Sequence, residues 1–410
     1  MKKYRPSVLV IDEDFAIAKN SGKRIRTANL LESCARSFSI TYVAYVAGNE
    51  EAVAAAATWN PLGVTTLPVQ RPKVAKSGFG QLITAARTLW RQLPANVVAW
   101  QTERFTKTVL NILRTGRFDL IHCEITQMAW AVPFGTGVPT ILNAHNVESV
   151  IWERLAGVRR GLLRWMFRNQ AAKVHKFESD YLPRFDEVIC VSKIDRERMR
   201  NRFGVTNALV LPNGADLTMQ PLPPAAAPPV LLYPSALDWR PAQDGAVFLL
   251  REILPQVRKR YPETRVAIVG KAPPRWMRRL CANTPGVECH SNVPFMEPYY
   301  RQARLVVVPL RVGSGSRLKI LEALAYGRAV VSTTVGVEGL ELTNGLHLSV
   351  ADGAGPFANA VCYLLENNDR RCSLAREGRK AVEEHYNWTV ISEEMADTWR
   401  SVSSVKRSVG

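Results

Sequence analysis

The sequence lacks the features that mark membrane-spanning, disulfide-bonded or metal-dependent proteins. No apolar run reaches the roughly 18 residues that a membrane-spanning helix needs. The seven cysteines form no CxxC pair, and neither they nor the six histidines fall into a metal-ligand spacing. Their odd number favours reduced thiols in a cytosolic protein. Because Asp12 follows the short apolar run 7–11, the N-terminus predicts a first strand rather than a signal peptide.

Common catalytic and phosphate-binding motifs are missing as well. No Gly-x-Ser-x-Gly sequence occurs, so a Ser-His-Asp hydrolase is not supported. The glycine-rich stretch 312–316 has no Gly-Lys-Ser/Thr and does not match a P-loop. It does not match the dinucleotide fingerprint either, because Leu318 stands where the third glycine should be.

Acidic residues are too few to balance the basic ones. The formal charge is +18, and residues 1–220 carry 30 Lys and Arg against 18 Asp and Glu. The remaining residues carry 24 against 18, so the basic excess lies mainly in the first half. This excess indicates an anionic partner, which could be a phospholipid surface, a phosphate-bearing substrate or nucleic acid. A merely soluble basic surface stays open as the alternative.

The most informative stretch is 305–336, LVVVPLRVGSGSRLKILEALAYGRAVVSTTVG. It predicts a buried strand, a glycine-rich loop, a helix and a second strand. Such a loop directs free backbone N–H groups and the positive end of the helix dipole at an anion, typically phosphate. Lys319 and Glu322 share one side of this helix, where lysine suits phosphate and glutamate suits paired sugar hydroxyls. We interpret the element as a nucleotide diphosphate-sugar site, with an ordinary solvated Lys–Glu salt bridge as the alternative.

The rest of the chain alternates between strands and helices in two series. The proline- and alanine-rich stretch 217–229 separates them and reads as a linker. The sequence therefore predicts an α/β protein with two Rossmann-like domains and a cleft between them. We draw the boundaries at 1–220 for an N-terminal basic domain on the acceptor side, 221–385 for a donor-side domain, and 386–410 for a C-terminal helix and tail.

His145 follows the predicted strand 139–144, where a side chain can reach a ligand. It suits hydroxyl binding or proton transfer, although a lone histidine is more often structural. Glu148, three residues after His145, is a second candidate for this site, but it could equally be a helix-start residue.

Two basic segments of predicted helix carry bulky apolar residues. In 82–117, interrupted by Pro94, we favour core packing for Trp90, Trp100 and Phe105 over contact with a membrane or acceptor. Segment 154–178 mixes seven Arg and Lys residues with Leu162, Leu163, Trp165, Met166 and Phe167. It fits an interfacial helix and a half-buried helix equally well.

Across nearly its whole length, the sequence resembles a retaining glycosyltransferase of the GT-B fold, family 4, most closely the branch that makes bacterial cell-surface polysaccharide. The stretches that carry the resemblance are 20–24 (NSGKR), 145–148 (HNVE), 191–192 (VS), 211–216 (LPNGAD), 235–241 (SALDWRP), 267–270 (AIVG) and, most strongly, 309–339. The resemblance implies two Rossmann-like domains facing a central cleft, with the C-terminal helix crossing back to the N-terminal domain.

The resemblance also implies roles for individual residues. Lys319 and Arg240 would neutralise the diphosphate leaving group, and His145 would lie near the transferring sugar. Glu322 would bind the ribose hydroxyls, and the backbone of Ser316 and Arg317 would cap the phosphate. The full donor-binding set is Gly22, Ser235, Gly270, Gly315, Ser316, Arg317, Lys319 and Glu322. Family members transfer a hexose without a metal or other cofactor, and lysine and arginine charge replaces the metal ion.

One position departs from the family pattern. Many members carry a pair of glutamates of which Glu322 matches the second, and the first would fall at Ser314. Because that first glutamate touches the donor sugar in the family, the donor sugar stays open. The Asp-Trp-Arg-Pro stretch that contains Arg240 is also not the commonest form.

The expected function is transfer of a sugar from a nucleotide diphosphate-sugar to a glycan or lipid-linked acceptor in surface polysaccharide synthesis. We expect a cytoplasmic protein, with peripheral contact at an anionic membrane surface and no nucleic-acid partner. Two alternatives stay open. One is a GT-B nucleotide-sugar epimerase, and the other is a basic, non-catalytic membrane- or nucleic-acid-binding protein.

Overall fold

The computed structural model describes residues 4–71, 92–223 and 229–405. The chain forms two compact units. The first unit consists of Met1–Lys19, Lys23–Leu211 and Thr389–Gly410, and the second of Asn20–Gly22 and Pro212–Trp388. The sequence-based domain boundaries and the linker 217–229, of which 224–228 lie outside the described residues, stay predictions.

The first unit is built on a parallel sheet with the strand order β3-β2-β1-β4-β5-β6-β7. Its strands are β1 (Ser7–Ile11), β2 (Ser39–Val46), β3 (Val64–Gln70), β4 (Leu120–Cys123), β5 (Thr140–Ala144), β6 (Glu187–Cys190) and β7 (Ala208–Val210). Central strands such as Ser7–Ile11 are almost continuously apolar and buried, as expected where helices cover both faces of a parallel sheet.

Helices connect these strands. They are α1 (Gly22–Cys34), α2 (Asn49–Trp59), α3 (Ala95–Val98), α4 (Glu103–Thr115), α5 (Glu148–Gly157), α6 (Gly161–Tyr181) and α7 (Lys193–Phe203). Short 3-10 turns occur at Asn60–Leu62, Thr126–Ala131 and Leu182–Arg184.

The second unit repeats the architecture with the order β10-β9-β8-β11-β12-β13. Its strands are β8 (Val230–Pro234), β9 (Arg265–Gly270), β10 (Val287–Ser291), β11 (Leu305–Val308), β12 (Val330–Ser332) and β13 (Ser349–Val350). Its helices are α8 (Arg240–Phe248), α9 (Leu254–Arg258), α10 (Arg275–Ala282), α11 (Glu297–Gln302), α12 (Leu318–Ala325), α13 (Thr334–Val337), α14 (Ala354–Glu366) and α15 (Asn368–His385). A wider π-helical turn, Leu249–Ile253, separates α8 from α9. The prediction of two Rossmann-like sheets is thus confirmed.

The last helix, α16 (Trp388–Val405), returns to the first unit. Trp399 is fully buried there, and its ring packs 5.2 Å from the rings of Phe38 and His122. The predicted return of the C-terminal helix to the N-terminal domain is therefore confirmed.

Three local predictions need correction. The segment 154–178 is not one helix, because the chain breaks between α5 and α6 and Gly161 starts α6 with a positive φ of 57°. The sequence pattern after residues 237–241 predicts one helix to about Tyr261, but this region divides into α8, a π-helical turn and α9. Strand β3 was not foreseen, since Pro68 weakens its pattern; proline is tolerated because β3 lies at the sheet edge.

The basic segment 82–117 is described only from residue 92 onward, where it forms α3 and α4. Phe105 is fully buried, and Trp100 packs against the same apolar core, so core packing is confirmed for these two aromatics. Trp90 lies outside the described residues. Within 4–71, 92–223 and 229–405, no helix combines the length and apolar character that crossing a bilayer requires.

Candidate active site

In each unit, polar residues follow the strands where the strand order reverses. In the first unit this point lies between β1 and β4, and Asp12 and Glu124 directly follow those strands. In the second it lies between β8 and β11, and Ser235 directly follows β8. The crevice at such a point is where open parallel sheets bind ligands. The two units therefore each provide a candidate half-site.

The glycine-rich loop of the second unit is held by its own side chains. The Arg317 guanidinium folds back, and its Nη1 donates to the carbonyl of Gly315 at 2.6 Å and to that of Ser314. Gly315 has a φ of 74°, a left-handed conformation that favours glycine. Asn213 Nδ2 donates to Ser316 Oγ at 2.8 Å. The loop is thus fixed immediately before α12 begins at Leu318.

Lys319 lies in the first turn of α12 and is directed at the end of β8. Its Nζ donates to Ser235 Oγ at 2.5 Å and lies 5.3 Å from the centroid of the Tyr233 ring. Burial, and secondarily the positive charge of Arg317, lowers the pKa of Lys319 to about 7. An anion bound here would restore the charged form of the lysine.

Gly270 makes room for this arrangement at the end of β9. A Cβ atom at this position would lie 1.5 Å from the carbonyl oxygen of Ser235, a distance that no side chain can occupy. Glycine therefore allows the backbone of Ser235, the residue after β8, to pass close to the end of β9. The structure brings together Ser235, Gly270 and Lys319, three of the sequence-predicted site residues.

Glu322 lies one turn further along α12 and accepts a hydrogen bond from the Tyr300 hydroxyl at 3.1 Å. Burial raises the pKa of Glu322 to about 7. Since Lys319 and Glu322 each contact a different uncharged partner, the solvated salt bridge considered as an alternative is not the arrangement observed.

Two other residues that the sequence predicts to bind the sugar donor lie at the N-termini of helices. Arg240 is exposed as the first residue of α8, after Trp239. Gly22 is the first residue of α1. The next residue, Lys23, is engaged with acids, because its Nζ lies 2.6 Å from Asp12 Oδ1 and 2.7 Å from Asp14 Oδ1.

His145 follows β5 in the first unit and is mostly buried. Its Nε2 lies 3.0 Å from the carbonyl oxygen of Glu124 and 3.1 Å from Glu124 Oε1. Burial lowers the pKa of His145 despite the carboxylate. Because Nε2 faces two acceptor oxygens, the neutral imidazole carries its proton there, and Nδ1 is left as an acceptor.

Sequence reasoning missed Glu124, although an acidic residue directly after a buried strand was a usable signal. Its carboxylate is fully buried. Burial alone would raise its pKa, but hydrogen bonds from His122 and His145 lower the pKa of Glu124 well below its usual range. The remaining contacts are His122 Nε2 at 2.8 Å, Thr27 Oγ1 at 2.7 Å and Asn143 Nδ2 at 3.0 Å.

Glu148 begins α5, as its interpretation as a helix-start residue predicted. Across the described ranges, His, Cys, Asp and Glu side chains form no group of three that could hold a metal ion.

Solved structures define the class of fold. Sucrose-phosphate synthase from Thermosynechococcus elongatus superposes with a TM-score of 0.72 and 19% identity, over 98% of this chain and 100% of that one. HepE from Anabaena, in complex with UDP-glucose, has a TM-score of 0.67 and 13% identity, over 96% and 99% of the two chains. The fold is the GT-B fold of glycosyltransferases.

Family models match both halves of the chain. The model described as Glycosyltransferase Family 4 matches residues 68–219, and the model described as Glycosyl transferases group 1 matches residues 228–367. The chain belongs to glycosyltransferase family 4.

A curated relative is the GDP-mannose-dependent alpha-(1-6)-phosphatidylinositol monomannoside mannosyltransferase of Mycolicibacterium smegmatis. It is 29% identical over 238 residues, which are 52% of this chain and 61% of the relative. The chain thus spans about three fifths of the length of this relative.

The hydrogen bonds around Glu124 should stabilise the folded protein. We expect Glu124→Leu to lower the free energy of unfolding by about 3–5 kcal/mol, because buried donors lose their shared carboxylate. Since the folded-state pKa is lowered, the contribution is complete above the unfolded pKa and disappears as pH falls toward the folded one. Urea unfolding at several pH values measures both effects.

Glu124→Gln is the matched control. It keeps the shape of the side chain and one acceptor oxygen, so it should lower the free energy of unfolding by less than Glu124→Leu. Equal stability of the wild type and Glu124→Leu would contradict a structural role for the network.

Proposed function

We propose that the protein transfers a sugar, with retention of anomeric configuration, from a nucleotide diphosphate-sugar to a glycan or lipid-linked acceptor in surface polysaccharide synthesis. The observation that carries the proposal is Lys319, a partly buried lysine placed against a hydroxyl beside a fixed glycine-rich loop. Similar proteins give support, since one is a GDP-mannose-dependent mannosyltransferase and another was solved in complex with UDP-glucose.

In the donor half-site, Lys319 and Arg240 would neutralise the diphosphate. The backbone N–H groups of Ser316 and Arg317 would cap a phosphate at the start of α12. Glu322 would accept hydrogen bonds from the two ribose hydroxyls. Ser235, Gly270 and Gly315 would shape the site by allowing close backbone approach. Positive charge at the leaving group takes the place of a metal ion in this mechanism.

The proposed reaction breaks the bond between the anomeric carbon and the diphosphate oxygen. The acceptor oxygen forms the new bond on the same face of the sugar, and its proton passes to the departing phosphate oxygen. Neutral His145 would hydrogen-bond a hydroxyl of the transferring sugar, and Gly22 would lie under the donor phosphates. Stabilising the charge that develops on the leaving group is the main catalytic task.

We also propose a cytoplasmic location with peripheral contact at the inner face of the cytoplasmic membrane. The basic excess of residues 1–220 supports attraction to anionic lipid, and no nucleic-acid partner is expected.

Lys319→Ala tests the proposed mechanism. We expect turnover to fall at least about a hundredfold, since one contact to developing charge is typically worth roughly 3 kcal/mol. Folding should be retained, because the change removes a partly buried amine whose charged form is unfavourable at this place. Steady-state kinetics, with circular dichroism as the folding check, measure the two outcomes.

Lys380→Ala is a matched control, as this lysine is exposed in the same unit. Near-normal turnover in Lys319→Ala would remove the role assigned to Lys319.

A calorimetric screen of UDP-, GDP- and ADP-sugars tests donor recognition. We expect one nucleotide series to bind, and Glu322→Ala to weaken that binding about tenfold or more by removing the proposed ribose contact. The same donors are then incubated without acceptor. Conversion of the donor sugar into its epimer under those conditions would favour an epimerase, whereas slow hydrolysis alone fits a transferase.

Proton exchange on donor binding follows from the lowered pKa of Lys319. At pH 8 this lysine is mostly neutral, because its pKa is about 7. A bound diphosphate favours the charged form, so binding should take up a proton. Titration calorimetry in buffers of different ionisation enthalpy measures the uptake, which Lys319→Met should abolish and Lys380→Met should preserve. Identical heats in all buffers for the wild type would refute this charge coupling.

A further inference from the structure

The N-terminal part of α6 exposes bulky apolar side chains. Leu162, Leu163 and Trp165 have exposed fractions of 72%, 53% and 55%. Elsewhere in the described ranges, no four consecutive positions expose three large apolar side chains. We call residues 159–168 the α6 tip. Exposed apolar groups concentrated in one place mark an interaction surface.

The helix α6 packs against the rest of the first unit through a different set of apolar side chains. Phe167, Ala171, Val174 and Phe177 are buried at helical spacing. The exposed residues precede this buried stripe, and the chain enters the helix through Gly161, whose φ is positive. The half-buried interpretation of segment 154–178 therefore describes the later turns of α6, whereas the α6 tip has the character of an interfacial helix.

Basic side chains line the same tip. Arg164 and Arg168 are exposed and lie four residues apart, so they share one side of the helix. Arg160, which directly precedes α6, is exposed as well. Like charges at this spacing repel each other and destabilise an isolated helix. An anionic partner would remove that repulsion.

A groove beside the α6 tip extends the positive surface. It has a volume of about 570 Å³, and Arg164, Arg168, His175 and Arg202 contribute to its lining. Glu153, the acidic residue of the lining, is paired with Arg202 at 3.0 Å. A phosphate group is the chemical class that such a groove accommodates.

We propose that the α6 tip binds the surface of a bilayer that contains anionic phospholipid. Leu162, Leu163 and Trp165 would enter the interfacial layer. Arg160, Arg164 and Arg168 would contact lipid phosphates, with the groove receiving a headgroup. Apolar and basic residues together favour a lipid surface over nucleic acid, which offers phosphate but no apolar layer for aliphatic side chains. The inference deepens the proposed function and rests on it, since it supplies the contact with a membrane that holds a lipid-linked acceptor.

Vesicle co-sedimentation of the full chain tests the inference. We expect pelleting with vesicles of phosphatidylcholine and phosphatidylglycerol, weaker pelleting with phosphatidylcholine alone, and loss of binding as salt rises. The double variant Arg164→Glu/Arg168→Glu should reduce partitioning about tenfold or more, because each basic residue near the surface contributes and the reversed charges repel. Leu162→Ser/Trp165→Ser should weaken binding to both kinds of vesicle.

Matched controls change similar side chains in the second unit. Arg376→Glu reverses an exposed arginine on α15, and Trp276→Ser removes an exposed tryptophan on α10. Both should pellet like the wild type. Unchanged pelleting of the two α6 variants would overturn the inference, as would binding of the wild type to duplex DNA without binding to either vesicle.

Nucleotide-sugar binding of each variant separates this inference from the function on which it rests. Variants that lose vesicle binding and keep donor binding support the α6 tip as a membrane contact. A wild type that pellets but binds no nucleotide sugar would refute the transferase and leave the lipid contact standing.

Discussion

The candidate half-site of the second unit depends on Lys319, which is partly buried against a hydroxyl and an aromatic ring rather than a carboxylate. Withdrawing an ammonium from water is unfavourable without compensation, and here desolvation lowers the pKa of Lys319 to about 7. The surrounding structure holds the lysine in place, since Gly270 leaves room for the backbone of Ser235, whose hydroxyl accepts the hydrogen bond from Lys319. The half-site is therefore prepared for an anion that would supply the opposite charge.

The first unit contains a buried carboxylate whose charge, unlike that of Lys319, is stabilised by several hydrogen bonds within the protein. Glu124 is surrounded by donors from His122, His145, Thr27 and Asn143. Its negative charge is stabilised within the protein itself, so it is available for orienting His145 rather than for binding a cation. Lys23 and its acidic neighbours show the same internal compensation. Lys319 thus differs from these groups in that its natural counter-charge would come from a ligand.

Much of this arrangement could be predicted from the sequence, because it depends on local patterns. The apolar run before the glycine-rich loop and the helical spacing after it located β11 and α12. The side-chain partners could not be predicted, since Ser235 and Tyr300 reach Lys319 and Glu322 only through the packing of the second unit. Glu124 was missed for a similar reason, because its donors come from α1, β4, β5 and the residue after β5. The break before α6 was missed because basic and apolar residues continue through it without a proline.

The side chain of Arg317 supports the glycine-rich loop from within. Its side chain fills the space beside Gly313, where a Cβ atom would lie 2.0 Å from its guanidinium, and it binds the carbonyls of Ser314 and Gly315. The loop consequently has its shape before any ligand arrives, and little conformational entropy is lost when one binds. Residues 312–317 therefore behave as a single module. An engineer who wishes to exchange donor preference between enzymes of this fold would need to transplant the loop together with its arginine and with Asn213, which holds it from outside.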